Sequence, residues 1–207
     1  MMGLPTETME DIEGIAETAQ KIVELYYANP DHPKGKGVQV SISVACFVPK
    51  PHTPFQFCPQ DTMEMLREKQ QHLRACIRSR KISLSYHDSR TSFLEAVFAK
   101  GDRRLGKALL EAYRRGCCFD GWDEEFRFDT WMQVFRDLGL DPAFYANRVI
   151  ATDEVTPWSH MDYGVTHDYL VREYEKALAA KTTQPCNRAC AGCGANKLLG
   201  GPCFDYH

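Results

Sequence analysis

The segment Val38-Gln39-Val40-Ser41-Ile42-Ser43-Val44-Ala45-Cys46-Phe47-Val48 decides the fold class. Apolar side chains alternate along it with mostly small, polar ones, which is the two-residue period of a β-strand. A strand with one apolar face and one small, polar face is typical of a barrel wall, with helices outside and a ligand cavity inside. An antiparallel strand with one solvated face is the alternative interpretation.

Helices are predicted on both sides of this strand. Thr8 is a suitable N-cap for a helix whose apolar residues repeat at helical spacing: Ile12, Ile15, Ala16, Ala19, Ile22, Val23 and Tyr26. The proline-rich loop Pro49–Pro54 follows the strand. Asp61 is the predicted cap of a second helix, which carries Met65, Leu66, Leu73, Cys76 and Ile77. This order of elements predicts an α/β layer fold.

The pattern changes after about residue 80. A short strand at Ile82–Tyr86 is followed by short amphipathic helices, and a Cys- and Gly-rich tail begins at Thr182. We therefore expect three regions: an α/β region over 1–80, a mostly helical extension over 81–181 and a tail over 182–207. Trp122, Trp131 and Trp158 are predicted core anchors.

Composition indicates a globular chain without a charge signal for nucleic acid. The 207 residues are 43% apolar and 26% charged, with a net charge of −3. No apolar run is long enough to span a membrane and the start does not read as a signal peptide, so a cytoplasmic setting is expected. The local basic group favours a solvated helix face over an RNA or phosphate patch: Arg103, Arg104, Lys107, Arg114 and Arg115.

Four of the nine cysteines indicate a metal centre in the tail. Cys186, Cys190 and Cys193 have C-x3-C-x2-C spacing, and Cys203 follows ten residues later. Thiolates at this spacing converge on one ion or cluster when glycines permit a tight turn. Four sulfurs suit a closed tetrahedral zinc site or a [4Fe–4S] cluster, and the spacing leaves both open.

Two motifs resemble the barrel of radical-SAM proteins. Gly3-Leu4-Pro5-Thr6-Glu7-Thr8 is similar to the turn after their fifth strand, and Phe47–Phe55 to the end of their sixth. The remainder is similar to a B12-binding-domain-type radical-SAM family, through the segments Leu84–Asp88, Leu94–Arg104, Phe119–Trp122, Trp158–Val165 and the tail cysteines. The resemblance implies a partial (βα) barrel made of its last strands and helices.

The resemblance also implies cofactors. Such enzymes bind S-adenosylmethionine (SAM) at the open iron of a three-cysteine [4Fe–4S] cluster and generate a 5′-deoxyadenosyl radical. On this resemblance Gly3, Leu4, Pro5 and Glu7 lie beside SAM, and Phe47 and Val48 help to form the adenine pocket. An ordinary strand-to-helix turn and plain barrel packing are the structural alternatives for these two groups.

One departure from the family pattern concerns the catalytic cluster. Its cysteines follow the first barrel strand, whereas this chain resembles the family only from the end of the fifth. We therefore expect a fragment that needs a missing N-terminal barrel half as its partner and is inactive alone. The tail cysteines are expected to form an accessory site, because only fourteen residues follow Cys193 and Cys203 offers a fourth ligand.

Other polar residues have weaker functional interpretations. Lys50 and His52 are candidates for facing a substrate, and an exposed proline-rich loop explains them equally well. His87-Asp88 and the pair His160 and Asp162 suit proton transfer or metal binding, although a structural hydrogen bond is favoured for both. Two alternative functions are a non-catalytic metal knuckle that binds protein or RNA, and a methylthiotransferase-like RNA-modifying enzyme.

Overall fold

The computed structural model describes residues 1–201, apart from the side chain of Leu199, and divides the chain into two compact units. The first unit comprises residues 1–48 and 60–95, and the second comprises residues 49–59 and those from 96 onward. The helices are α1 Met9–Ala28, α2 Met63–Cys76, α3 Ser89–Ala99, α4 Leu105–Arg114, α5 Phe128–Asp137, α6 Pro142–Ala146, α7 His167–Leu178 and α8 Asn196–Leu199. The strands are β1 Val40–Val44 and β2 Ile82–Tyr86, and a short 3₁₀ helix spans Pro54–Phe57.

The first unit is a parallel sheet with helical crossovers. β1 pairs with β2 in parallel, in a register that runs from Val40 opposite Ile82 to Val44 opposite Tyr86. A further parallel bridge joins Met2 to Cys46. Three consecutive chain segments therefore run side by side in one direction, and α1 and α2 connect them as in βαβ units. Within residues 1–201 this sheet does not close on itself, so the barrel remains a prediction.

The apolar face of the sheet is covered by helices. Thr8 caps α1, as the sequence predicts, and Asp11 completes a reciprocal capping box with it. The inward face of α1 is fully or nearly buried at Ile12, Ala16, Ala19 and Val23. A cluster formed by Met2, Ile12, Ala16, Val44 and Leu73 joins both helices to the sheet. Each fully buried large side chain here contributes roughly 1.5–3 kcal/mol to stability.

The opposite face of the sheet consists of serines. Ser41, Ser43, Ser83 and Ser85 are all exposed. The Ser83 hydroxyl donates to Ser41 Oγ across the strands at 3.0 Å. Parallel sheets are ordinarily covered on both faces, so this small, polar face is unusual for a parallel arrangement.

Two predictions about individual residues are wrong. Thr62, rather than Asp61, caps α2 by accepting the Met65 N–H, because the Asp61 carboxylate is bound by Lys69 instead. Trp122 is 62% exposed, whereas Trp131 and Trp158 are buried as predicted. The Trp122 N–H donates to the Phe119 carbonyl in a tight turn, and Phe119 is also exposed, so this turn directs its aromatic rings outward.

The second unit is mostly helical. One of its clusters contains Phe57, Ile150, Trp158 and Leu170, with Tyr174 packed against it. In another part Trp131 and Phe135 pack with Phe98, the two rings of Phe98 and Trp131 meeting edge to face at 5.4 Å. In residues 1–201, none of the helices combines the length and the apolar character needed to cross a membrane.

Candidate functional site at the carboxyl edge of the strands

The carboxyl ends of the parallel segments meet at one edge in the first unit. The Phe47 N–H donates to the Met2 carbonyl at 2.7 Å, and the His87 N–H donates to the Val44 carbonyl at 3.2 Å. The turn after Met2, the Phe47-Val48 pair and the His87-Asp88 pair therefore follow three neighbouring segments. In open α/β sheets, ligands bind outside this carboxyl edge.

The Gly3–Thr8 turn is fixed by its own side chains. The Gly3 N–H donates to Glu7 Oε2 at 2.7 Å, and the Glu7 N–H donates to the Leu4 carbonyl at 3.1 Å. Gly3 has a φ of +85°, a conformation that residues with a Cβ rarely adopt. A Cβ at this position would also lie 3.0 Å from a Leu66 methyl group. The turn therefore requires glycine both for its backbone conformation and for its close packing.

A buried charge cluster supports this turn. Lys69 of α2 binds Glu7 Oε2 at 2.8 Å and Asp61 Oδ2 at 2.7 Å. The three side chains are only 12%, 6% and 19% exposed, respectively. Burial by itself lowers the pKa of Lys69, but the hydrogen bonds to Asp61 and Glu7 outweigh burial and raise this pKa. The Glu7 carboxylate thus positions the turn and is already bound by Gly3 and Lys69.

Phe47 is held in place by a buried glutamine. The Gln60 amide group donates to the Phe47 carbonyl and to the Ser92 carbonyl, each at 3.0 Å. Gln60 is 2% exposed and Phe47 is 6% exposed. Val48, directly after Phe47, is only partly buried. The structure therefore fixes the backbone three residues after β1 and leaves the Val48 side chain partly accessible.

Cys46 is a structural thiol at the same edge. Burial raises its pKa, although hydrogen bonds from Ser92 and Gln70 act in the opposite direction. The Gln70 amide group lies 3.7 Å from the Cys46 sulfur and donates to the His87 carbonyl at 3.1 Å. A buried thiol with a raised pKa is a poor nucleophile, so this edge contains no activated cysteine at Cys46.

The six predicted cofactor residues fall into two groups. Gly3, Glu7 and Phe47 are engaged in the contacts described above. Leu4, Pro5 and Val48 have accessible apolar surface, and Leu4 is 37% exposed. These three residues therefore provide the accessible apolar surface of this edge.

The proline-rich loop lines a cavity in the second unit. The cavity has a volume of about 520 Å³, and its lining includes His52, Trp158, His160, Tyr163, His167 and Leu170. His52 has a φ of +61°, and its ring centroid lies 3.9 Å from that of Tyr163. Burial lowers the pKa of His52. A non-glycine residue in this backbone conformation costs about 1–3 kcal/mol and is often found at functional sites.

Gln56 organises this loop. The His52 N–H donates to Gln56 Oε1 at 3.0 Å, and the Trp158 indole N–H donates to the same oxygen at 2.8 Å. Gln56 and Trp158 are both nearly buried. The position of His52 at the cavity is therefore set by a rigid network.

The tail cysteines lie beside backbone amides. The Gly192 N–H donates to Cys190 Sγ at 3.4 Å, and the Ala195 N–H donates to Cys193 Sγ at 3.5 Å. The Cys193 carbonyl accepts the Thr166 N–H at 2.8 Å, which ties the tail to the start of α7. Cys186 and Cys190 are exposed, and Cys203 lies outside the described residues. Backbone N–H groups directed at sulfurs stabilise thiolates, as they do around metal-bound cysteines.

The two predicted proton-transfer pairs have structural roles. Asp88 binds the Arg90 guanidinium at 2.8 Å, and this hydrogen bond lowers the pKa of the carboxyl. Asp162 accepts the Gly164 N–H at 2.8 Å in a turn. The two aspartates therefore serve local structure, and these contacts support neither proton transfer nor the favoured hydrogen bond between each histidine and its aspartate.

The basic group on and around α4 is largely neutralised. Arg104 pairs with Asp102 at 2.6 Å, and Arg115 pairs with Glu111 and Asp137 at 2.9 and 2.6 Å. Arg114 lies 3.9 Å from Glu111. These pairs reduce the field that a phosphate backbone would experience.

Sequence reasoning missed the residues that support the edge: Lys69, Gln60 and Gln70. They are polar residues in or just before an amphipathic helix, and Gln60 and Gln70 are buried. Gln70 lies on the apolar side of α2, between Leu66 and Leu73, and this position is the one sequence feature that indicates a buried glutamine. Nothing in the sequence links Lys69 to Glu7, which is 62 residues away.

Comparison with known proteins gives a distant relative and no family. The chain is 26% identical over 140 residues to an uncharacterized protein of Methanocaldococcus jannaschii. The matched region is 68% of this chain and 29% of that protein, so the chain spans less than a third of this relative's length. No protein-family model matches the chain. No solved structure matches it either.

Proposed function

We propose that the chain forms the last strands and the C-terminal extension of a radical-SAM enzyme of unknown substrate. The observation that carries the proposal is the meeting of the Gly3–Thr8 turn and the Phe47-Val48 pair at one edge, joined through the Phe47–Met2 hydrogen bond of 2.7 Å. On the basis of the resemblance, we expect these two motifs to contact the same cofactor. The two motifs are separated in sequence by α1. They meet only because the chain after α1 returns to lie beside residue 2, and the sequence spacing alone does not predict this.

The serine face supports a barrel interior. Ser41, Ser43, Ser83 and Ser85 leave room on the uncovered side of the parallel strands, as a wall around a ligand cavity requires. The proposed occupant of the remaining wall is the N-terminal barrel half. The relative's greater length is compatible with such a segment. The proposed setting is the cytoplasm, where thiols remain reduced.

The residues at the edge have two proposed roles, contact with the ligand and positioning of the backbone. Leu4, Pro5 and Val48 would contact the apolar surface of the adenosine moiety. The backbone that carries these three side chains is held by positioning residues: the turn by Glu7 and Lys69, and the Phe47-Val48 segment by Gln60. The chemistry supplied by bound SAM and a reduced [4Fe–4S] cluster would be hydrogen abstraction by a 5′-deoxyadenosyl radical.

The tail is proposed to hold an accessory metal centre through Cys186, Cys190, Cys193 and Cys203. The N–H groups beside Cys190 and Cys193 support thiolate ligands there. Iron, sulfide and zinc analysis of anaerobically purified protein separates the two candidates. About four iron and four sulfide per chain indicate a [4Fe–4S] cluster, whereas about one zinc indicates a structural knuckle. Either content should be lost in Cys190→Ser.

A non-catalytic metal knuckle that binds a protein is the second candidate. The tail geometry favours it as much as it favours an accessory cluster. The ion pairs of Arg104 and Arg115 count against an RNA-binding version, and no contact among residues 1–201 favours the methylthiotransferase-like alternative.

The decisive experiment measures SAM cleavage by the whole protein encoded by the gene that contains this chain. Anaerobic protein with dithionite should release 5′-deoxyadenosine from SAM. Leu4→Asp should raise the KM for SAM by about 10-fold, because it places a charge in an apolar contact worth about 1.4 kcal/mol. Leu25→Asp is the matched control, since Leu25 is 70% exposed on α1.

Two results would overturn the proposal. One is a coding sequence without any three-cysteine motif upstream of this chain, together with no 5′-deoxyadenosine. The other is equal KM values for Leu4→Asp and Leu25→Asp in an active enzyme, which would remove the strand edge from the SAM site.

A further inference from the structure

Three potential metal ligands converge between α1 and α2, at a place that the proposed function does not use. Glu13, His72 and Cys76 each offer one ligand atom, and these atoms all lie within 4.8 Å of one another. His72 Nε2 is 2.8 Å from Glu13 Oε1. In residues 1–201 this is the one group of three such side chains with that spacing.

Helix geometry explains the convergence. His72 and Cys76 are four residues apart on α2 and therefore lie on the same face. Glu13 comes from α1, which packs against α2 in the first unit. The site therefore joins two separate helices, and both ligands from α2 belong to its last two turns.

The distances suit a small divalent ion. With zinc bonds of about 2.0–2.1 Å to nitrogen, 2.0–2.2 Å to oxygen and 2.3 Å to sulfur, tetrahedral ligand atoms lie about 3.3–3.7 Å apart. The observed atoms lie between the 2.8 Å of the His72–Glu13 hydrogen bond and the 4.8 Å limit. Binding would require this hydrogen bond to open by about half an ångström, which side-chain rotation allows.

The surroundings also suit a metal. Cys76 packs against the apolar cluster that contains Leu73 and Ala16, so its sulfur has an apolar wall on one side. A groove beside it is lined by Glu13, Glu17 and Cys76, among others. A carboxylate and a thiolate would neutralise a divalent ion, and the groove would admit solvent as the fourth ligand.

We propose that Glu13, His72 and Cys76 bind one zinc-class divalent transition metal ion, with water in the fourth position, and that this ion clamps α1 to α2. The ligand types favour zinc or cobalt(II) over magnesium or calcium, because thiolate is a soft donor and imidazole suits transition metal ions, whereas magnesium and calcium prefer oxygen ligands. The proposal is independent of the radical-SAM assignment and of the tail cysteines.

The test uses the full chain with its tail ligands removed. Cys186, Cys190, Cys193 and Cys203 are all replaced by serine, the protein is stripped with a chelator under reducing conditions, and cobalt(II) is titrated. About one cobalt per chain should bind, with the intense visible bands of tetrahedral coordination and a thiolate-to-cobalt charge-transfer band. In this background His72→Ala should weaken binding by at least the ~10–100-fold that loss of an outer-shell partner costs.

Matched variants separate the site from nonspecific binding and from misfolding. Cys76→Ser should remove the charge-transfer band, whereas Cys118→Ser should leave it unchanged. Glu13→Gln should weaken binding, whereas His32→Ala, which changes a partly buried histidine just after α1, should not. Circular dichroism of every variant without metal should match that of the parent. Absence of cobalt binding in the tail-free parent, or binding that survives both His72→Ala and Cys76→Ser, would overturn the proposal.

Discussion

Two lysines, one partly buried in the first unit and one buried in the second, find their hydrogen-bond partners in opposite ways. Lys69 lies between the carboxylates of Glu7 and Asp61, and these hydrogen bonds raise its pKa despite burial. Lys100 is 4% exposed and donates to two backbone carbonyls, those of Cys58 at 2.8 Å and Arg148 at 2.9 Å. Burial, and then the charge of Arg148, lowers the pKa of Lys100 to about 8.

The two lysines differ in what their charge does for the unit that contains them. The carboxylates around Lys69 keep it protonated and fix the turn at the candidate ligand edge. Lys100 instead crosslinks two backbone segments, 57–58 and 148–150, which also share the Ile150–Phe57 hydrogen bond of 2.9 Å. Lys69 therefore stays protonated as the solution becomes moderately alkaline, whereas Lys100 loses its proton near pH 8.

Lys69→Met should have the largest effect on stability. It leaves two largely buried carboxylates without their cation, and the expected loss is about 3 kcal/mol, at the lower end of the cost of breaking a fully buried ion pair. Denaturant unfolding of the chain measures the loss. Lys21→Met is the control: Lys21 is 71% exposed and 3.7 Å from Glu17, so its removal should cost less than about 1 kcal/mol. Equal losses for the two variants would contradict a buried, cooperating cluster.

Lys100→Met should cost less, about 2 kcal/mol near pH 7. It leaves the Cys58 and Arg148 carbonyls without their donor, but it also removes a buried charge. The cost should depend on pH. The folded-state pKa of about 8 lies below the ordinary 10.5, so the unfolded chain binds more protons between these values and wild-type stability rises with pH in this window.

The difference between wild type and Lys100→Met should therefore grow from about pH 8 to pH 10.5. Lys69 behaves oppositely, because its raised pKa gives stability that is complete below 10.5 and is lost as pH rises through the folded value. A constant difference between wild type and Lys100→Met across this window would contradict the neutralisation of Lys100.

Gly3→Ala tests how tightly the charge cluster encloses its turn. Gly3 and Gly35 have nearly equal φ angles, +85° and +84°, so alanine should suffer the same backbone cost of about 1–2 kcal/mol at each. A Cβ at Gly3 would also lie 3.0 Å from Leu66 and 3.2 Å from Asp61 Oδ2, whereas at Gly35 it meets nothing within 4 Å. Gly3→Ala should therefore cost about 1 kcal/mol more than Gly35→Ala in unfolding experiments. Equal losses of unfolding free energy for the two variants would mean that Leu66 and Asp61 move aside for the added Cβ without loss of stability.

The same contrast explains what the sequence could predict. The Thr8 cap, the spacing of Ile12 to Val23 and the alternation at 40–44 are local patterns, and the structure follows them. The contacts of Lys69 and Lys100 join residues 62 and 42 positions apart, so no local pattern contains them. Trp122 was predicted wrongly because apolar character does not reveal which side chains a tight turn directs outward.

The site was predictable only in part. Gly3–Glu7 and Phe47-Val48 were identified as neighbours through a resemblance, and the structure brings their backbones together. Their accessibility could not be read from the sequence, since it depends on Lys69 and Gln60 binding Glu7 and the Phe47 carbonyl. Cys203 lies outside the described residues, so the four-cysteine site stays a prediction.

If SAM binds at the carboxyl edge of the parallel strands, as we propose, hydrogen exchange with mass spectrometry will detect it there. The anaerobic whole protein is compared with and without SAM, and exchange is followed in peptides covering 2–8, 45–49 and the cavity residues 156–167. We expect added protection at 2–8 and 45–49 and no change at 156–167. Protection confined to 156–167, or no protection in any of the three peptides while SAM is shown to bind, would contradict it.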